Sequence, residues 1–160
     1  MELEDFTFFD DATVEIPLPD FRYFPLHDLE SLWWIGAHFV VARAVTHRDP
    51  NELDRTYYSK HAQFAAQVFG TKAPRTTVMT AGLYFYTRLH LLHPAVRAAG
   101  DLLHDCRKKL VQAHRAAEND LRNMDFHSAD GAHEMIRDSF ATIAEMFKDA
   151  DFYMEPIPLK

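Results

Sequence analysis

The chain has 160 residues, of which 48% are hydrophobic and 26% are charged, and its formal net charge is -7. This length fits one domain, while the apolar content excludes a disordered tail and five glycines exclude collagen-like or low-complexity sequence. No apolar run is long enough to cross a membrane and the first residues are acidic, so we expect a cytoplasmic protein with no membrane partner. The single cysteine, Cys106, excludes an internal disulfide.

Residues 1–25 are predicted to form an acidic, aromatic arm that packs on the rest of the domain. Residues 1–30 carry nine acids and one base, whereas the other 130 residues carry fifteen acids and sixteen bases. Prolines at 17, 19 and 25 favour extended backbone. The aromatic side chains of this segment are too many to leave in water: Phe6, Phe8, Phe9, Phe21, Tyr23 and Phe24.

Residues 26–150 are predicted to form a helical bundle domain. Apolar spacing predicts a helix over about 27–47 and another over about 52–69, the second capped by Asn51 and ending at Gly70. A turn is expected at 71–74. A third helix, over about 75–93, is apolar on several faces and is expected at the buried centre, ending or kinking at Pro94.

The clearest amphipathic pattern in the chain is a seven-residue repeat that predicts a long helix, through Val96, Ala99, Leu103, Cys106, Leu110, Ala113, Ala117 and Leu121. A last helix carries Ile136, Phe140, Ile143 and Phe147. The predicted fold class is therefore all-α, a four- or five-helix bundle with an extended proline-containing N-terminal arm. Residues 151–160 are predicted to form an extended C-terminal tail.

Ten histidines could supply metal ligands, but their spacing does not match a metal-binding motif. Glu-x-x-His, His-x-x-x-His and His-Glu-x-x-His are all absent from the sequence. His90 and His93 are three residues apart, without a further ligand at the spacing that such a site needs. We therefore predict no metal site and no cofactor.

The far half of the polar face of the long helix is basic. Four cations lie on or beside this face: Arg107, Lys108, Lys109 and Arg115. Lysine and arginine gain affinity for a phosphate backbone by releasing counterions, so these four are predicted to bind RNA. The alternative is an ordinary solvated helix face.

The basic face leads to the segment Arg122-Asn123-Met124-Asp125-Phe126-His127, which stands between the long helix and the last one. This motif resembles that of the HEPN superfamily, small helical bundles marked by an arginine, a polar residue and a histidine after four to six intervening positions. The resemblance implies that Arg122 and His127 are catalytic, with Asn123 as the polar second position. It implies a metal-independent endoribonuclease or RNA-binding protein, of toxin or antiviral defence systems, that works as a homodimer.

Several other arginine and histidine pairs in the chain have similar spacing, but only Arg122 is followed directly by asparagine. Asp125 departs from what a phosphate site favours, because it places a negative charge inside the motif. The chemistry itself needs no metal, since the 2′-hydroxyl of RNA can attack the adjacent phosphate. A histidine can move the proton and an arginine can hold the phosphate oxygens as charge develops.

A second interpretation of the sequence is a non-catalytic acidic helical interaction protein, of immunity, inhibitor or adaptor type. Its support is the acidic segment 1–25, because a negative surface attracts and complements a basic protein partner.

Overall fold

The computed structural model describes residues 25–70, 75–119 and 129–159. These residues form, in chain order, α1 (Pro25–Val41), β1 (Arg43–His47), α2 (Glu52–Phe69), α3 (Arg75–Thr80), α4 (Gly82–Tyr86), a 3-10 turn (Leu89–Leu91), α5 (Pro94–Asn119), α6 (Asp130–Lys148) and β2 (Phe152–Pro156). The predicted all-α bundle class is confirmed, with one small two-stranded sheet added to it. Within the described ranges, no helix is both long and apolar enough to span a bilayer.

Helix α5 organises the core, packing against α1 and against α6. The predicted stripe on α5 is buried from Val96 to Ala113. Trp33 of α1 is fully buried, and its Nε1–H donates to the carbonyl of Leu103 over 2.7 Å. The Phe85 ring lies edge-on to Trp33 at 5.5 Å between centroids, so α4 closes the same core.

Helix α2 has the predicted bounds because its ends are well capped. The Asn51 side chain accepts from the Asp54 N–H over 2.9 Å, and the Asp54 carboxylate accepts from the Asn51 N–H over 3.3 Å, which is a capping box. The N–H of Gly70 donates to Ala66 O at the other end. Leu53, an apolar residue in the first turn of this helix, does not face the core and is 45% exposed.

The prediction of a single helix over 27–47 is wrong for the residues after Val41. Helix α1 ends at Val41, and residues 43–47 form β1, which pairs antiparallel with β2 from Arg43 opposite Pro156 to His47 opposite Phe152. Local apolar spacing continued through Ala44, but a partner strand more than 100 residues away supplies hydrogen bonds that favour extended backbone. The predicted extended tail provides that partner.

The predicted third helix over 75–93 is broken into α3, α4 and the 3-10 turn. Ala81 has extended backbone, and the guanidinium of Arg107 binds the carbonyl of Met79, which an unbroken helix would use itself. Leu83 is 74% exposed rather than central. Pro94 begins α5 instead of ending a helix, which suits its fixed φ and missing N–H.

Candidate nucleic-acid interface

Arg107 is the sequence-predicted RNA contact that the structure places in the interior. Its side chain is 2% exposed, and it donates to Met79 O over 2.5 Å and to Gly82 O over 3.2 Å. Burial lowers the pKa of Arg107. In this conformation Arg107 joins α5 to α3 and α4, and it does not reach a surface where RNA could lie.

The other three predicted cations differ in exposure. Lys108 is exposed and its Nζ lies 2.7 Å from the carboxylate of Asp105. Lys109 is half-buried, with its aliphatic chain against Gly131 at the start of α6. Arg115 is exposed. Lys108 and Arg115 are seven residues apart and so share one face of α5, whereas Lys109 points to the side of α6.

Arg115 lines a groove between α1, α3 and α5 with a volume of about 280 Å³. We call it the arginine groove, and its other lining residues are Glu30, Arg75, Thr76, Met79, Thr80, Val111 and His114. His114 Nε2 lies 3.7 Å from the Glu30 carboxylate, and the Arg75 guanidinium lies 5.6 Å from the centre of the Trp34 ring. Among the described residues, two arginines and a histidine therefore line one opening together with a single carboxylate, that of Glu30.

The predicted catalytic residues Arg122, Asn123 and His127 lie outside the described residues. In the sequence these residues stand between the end of α5 at Asn119 and the start of α6 at Asp130. Arg115 precedes Arg122 by seven residues. The groove thus flanks the last turns of the helix that leads into the motif.

Sequence reasoning missed a buried cluster at the opposite end of α5. Asp54 is 4% exposed, and its carboxylate accepts from His47 Nδ1 over 2.8 Å and from the His47 backbone N–H over 3.1 Å. His93 Nε2 lies 3.4 Å from the same carboxylate, while His93 Nδ1 accepts from the Ala95 N–H over 3.2 Å. This last bond fixes the neutral His93 ring with its proton on Nε2, facing Asp54.

The electrostatics of this cluster follow from its hydrogen bonds. Burial raises the pKa of Asp54, but the donors from His47 and Asn51 outweigh it, so the pKa lies below its ordinary value. Burial lowers the pKa of His93, against the attraction of Asp54. The cluster ties β1 to the first turns of α2 and α5, and we assign it a structural role. In the sequence, only the capping-box spacing of Asn51 and Asp54 indicates any part of this cluster.

Among the described residues, no three histidine, cysteine or acidic side chains are grouped closely enough to hold a metal ion. His90 and His93 face different neighbours, since His90 Nδ1 lies 2.7 Å from Thr87 O and His93 faces Asp54. No family model, curated protein or solved structure matches this chain.

Proposed function

We propose that this protein is a HEPN-like, metal-independent endoribonuclease that holds RNA in the arginine groove and cuts it at Arg122 and His127. The observation that carries the proposal is the arginine groove itself, which presents Arg75, His114 and Arg115 beside the end of α5. In the sequence the motif begins seven residues beyond Arg115, so RNA held in the groove would lie beside the helix that leads into the motif.

Each part has a chemical task. Arg75 and Arg115 neutralise phosphates that flank the cut and position the strand. His127 removes the proton of the attacking 2′-hydroxyl, whose oxygen bonds to phosphorus to give a 2′,3′-cyclic phosphate while the bond from phosphorus to the 5′-oxygen breaks. The leaving 5′-oxygen takes up a proton from the imidazolium of His127 or from water, and Arg122 holds the non-bridging oxygens as negative charge develops on them. Asn123 supplies a polar contact next to them. The resemblance also implies a homodimer whose two motifs face one cleft, and we include this in the proposal.

The test uses a labelled, structured RNA in EDTA, with cleavage and binding measured separately. The wild type should cut, while Arg122→Ala and His127→Ala should lose cutting and His127→Ala should still bind. Arg115→Ala should weaken binding and lower the slope of log affinity against log salt by about 1, as expected for one lost phosphate contact. Light scattering of the same samples should give the mass of a dimer.

The matched control is Arg137→Ala, which removes an exposed arginine of α6 that is paired with Asp138 and lies outside the groove. It should leave binding and its salt slope unchanged. If Arg115→Ala and Arg137→Ala behave alike, the arginine groove does not bind RNA. If the wild type leaves RNA intact and unbound, with and without divalent metal, the ribonuclease proposal fails and the interaction-protein alternative gains support.

A further inference from the structure

Helix α1 has a second apolar face besides the one that it buries in the core. Leu32, Ile35, Gly36 and Phe39 follow one another at helical spacing, and Ile35 is 64% exposed. Together with α6 this face forms a groove of about 320 Å³, which we call the α1/α6 groove. The described residues that line it are all apolar: Ile35, Gly36, Phe39, Phe140, Ile143, Ala144 and Phe147.

The floor of the α1/α6 groove is a close contact between the two helices. A Cβ atom on Gly36 would stand 2.6 Å from Cζ of Phe140, so the glycine lets α6 approach. At one end the Phe39 and Phe147 rings meet edge to face, with 5.6 Å between their centroids. Because Ile35 is exposed, no described residue covers the groove at that point. A continuous exposed apolar patch of this kind usually marks a binding surface.

We propose that the α1/α6 groove is the docking site of this chain's own residues 1–24, with Phe8 and Phe9 as the anchors. Those 24 residues enter the described structure at Pro25, which is the first residue of α1. The occupant is therefore attached to the same helix that forms one wall of the groove. It also brings two adjacent phenylalanines, whose burial is strongly favourable.

Residues 1–24 are long enough for Phe9 to reach the groove from Pro25. Ile35 lies ten residues into α1, so it is about 15 Å along the helix axis from Pro25. Phe9 lies sixteen positions before Pro25, and a chain of that length reaches at most about 53 to 58 Å when fully extended, so it is long enough for Phe9 to reach Ile35. Because the occupant is attached to the helix that forms one wall of the groove, docking is intramolecular and is favoured by a high effective concentration. Phe24 adjoins Pro25 and is tied too close to the start of α1 to reach Ile35.

Charge favours the same occupant. The guanidinium of Arg43 lies 5.5 Å from the centre of the Phe39 ring, at one end of the groove. Asp10 and Asp11 directly follow Phe9 in the sequence. With Phe9 in the groove, these carboxylates can lie near Arg43, an opposite-charge pairing that a purely apolar segment would not make.

The first experiment is disulfide trapping in the full chain with Phe9→Cys and Ile35→Cys. The control pair is Phe9→Cys with Leu83→Cys, because Leu83 is similarly exposed but lies on α4, outside the groove. Cys106 is fully buried and does not compete. On mild oxidation the groove pair should close within one chain about tenfold faster than the control pair. Equal rates would overturn the proposal, and so would a link between two chains, which would assign the groove to a second copy.

A second experiment needs no cysteine and compares Ile35→Asp with Leu83→Asp in the full chain. Both changes replace an exposed apolar side chain, so unfolding in urea should show both variants folded. Chymotrypsin should cut within residues 1–24 about tenfold faster in Ile35→Asp than in Leu83→Asp, because cleavage follows the population of the undocked segment. The same cutting rate in both variants would contradict docking in this groove. Neither experiment depends on RNA binding.

Discussion

His61 should make the protein sensitive to acid in a way that one substitution can isolate. The ring lies on α2 and is 1% exposed, with Nε2–H donating to Val40 O over 3.1 Å. Its Nδ1 is buried with no hydrogen-bond partner among the described residues. Burial lowers the pKa of His61 from 6.5 to about 4. Between pH 6.5 and pH 4, His61 therefore binds a proton in the unfolded chain but not in the folded chain.

The sign and size of the effect follow from this difference. Because the pKa of His61 is lowered by folding, its full contribution is present above pH 6.5 and is lost as the pH falls toward 4. Between pH 7 and pH 4.5 the free energy of unfolding should fall by about 2 kcal/mol because of His61. At a typical urea dependence of about 2 kcal/mol per M, this lowers the unfolding midpoint by about 1 M.

The assay is urea unfolding at pH 7 and at pH 4.5 for the wild type, His61→Gln and His133→Gln. Glutamine keeps an N–H that can reach Val40 O, but it does not titrate. His133 is exposed and serves as the matched control. On acidification the free energy of unfolding of His61→Gln should fall by about 2 kcal/mol less than that of the other two proteins. If all three show the same pH dependence, His61 is not held neutral by burial and the reasoning is refuted.

Three further substitutions test the packing. Asp54→Asn should lower the free energy of unfolding by about 2 kcal/mol at pH 7, since it weakens charge-assisted hydrogen bonds. Because folding lowers the pKa of Asp54, urea titration should show the difference shrinking as the pH falls below 3.8, where the unfolded chain binds a proton that the folded chain does not yet bind. Gly36→Ala should cost about 1 to 3 kcal/mol through its clash with Phe140, seen as a lower Tm, whereas Gly82→Ala, with open space around its Cβ, should cost little. Arg107→Met should lower the Tm but leave RNA affinity per folded molecule unchanged, and a weaker affinity would contradict its buried position.

Local periodicity predicted the elements that bury one stripe against the core. The stripe on α5 and the capped helix α2 were read correctly, because the residues that define them are neighbours in sequence. It failed at Arg43–His47, where apolar residues suit either a helix or a strand and the choice depends on a strand far along the chain. It failed again at Leu83, since apolar residues were assumed to be buried.

The candidate sites also differ in whether their residues are neighbours in the sequence or come together only in the fold. The motif at Arg122 could be found because its residues are close together in sequence, and the structure leaves that hypothesis to experiment. Counting charges on α5 could not show that Arg107 points inward, since that depends on the carbonyls that α3 and α4 offer it. The cluster around Asp54 joins three separate segments, and no spacing rule connects His47 with His93.

The pairing of β1 with β2 has a consequence for how the chain reaches its fold. The two strands are separated by more than 100 residues, and nearly all of the described helices lie between them. Contacts of such high sequence separation close late and slow the overall reaction. During synthesis β1 emerges long before its partner, and until then its edge can pair with other strands. Newly made chains should therefore be most prone to aggregation before Phe152–Pro156 has been synthesised, and a stop codon before Phe152 should make that state permanent.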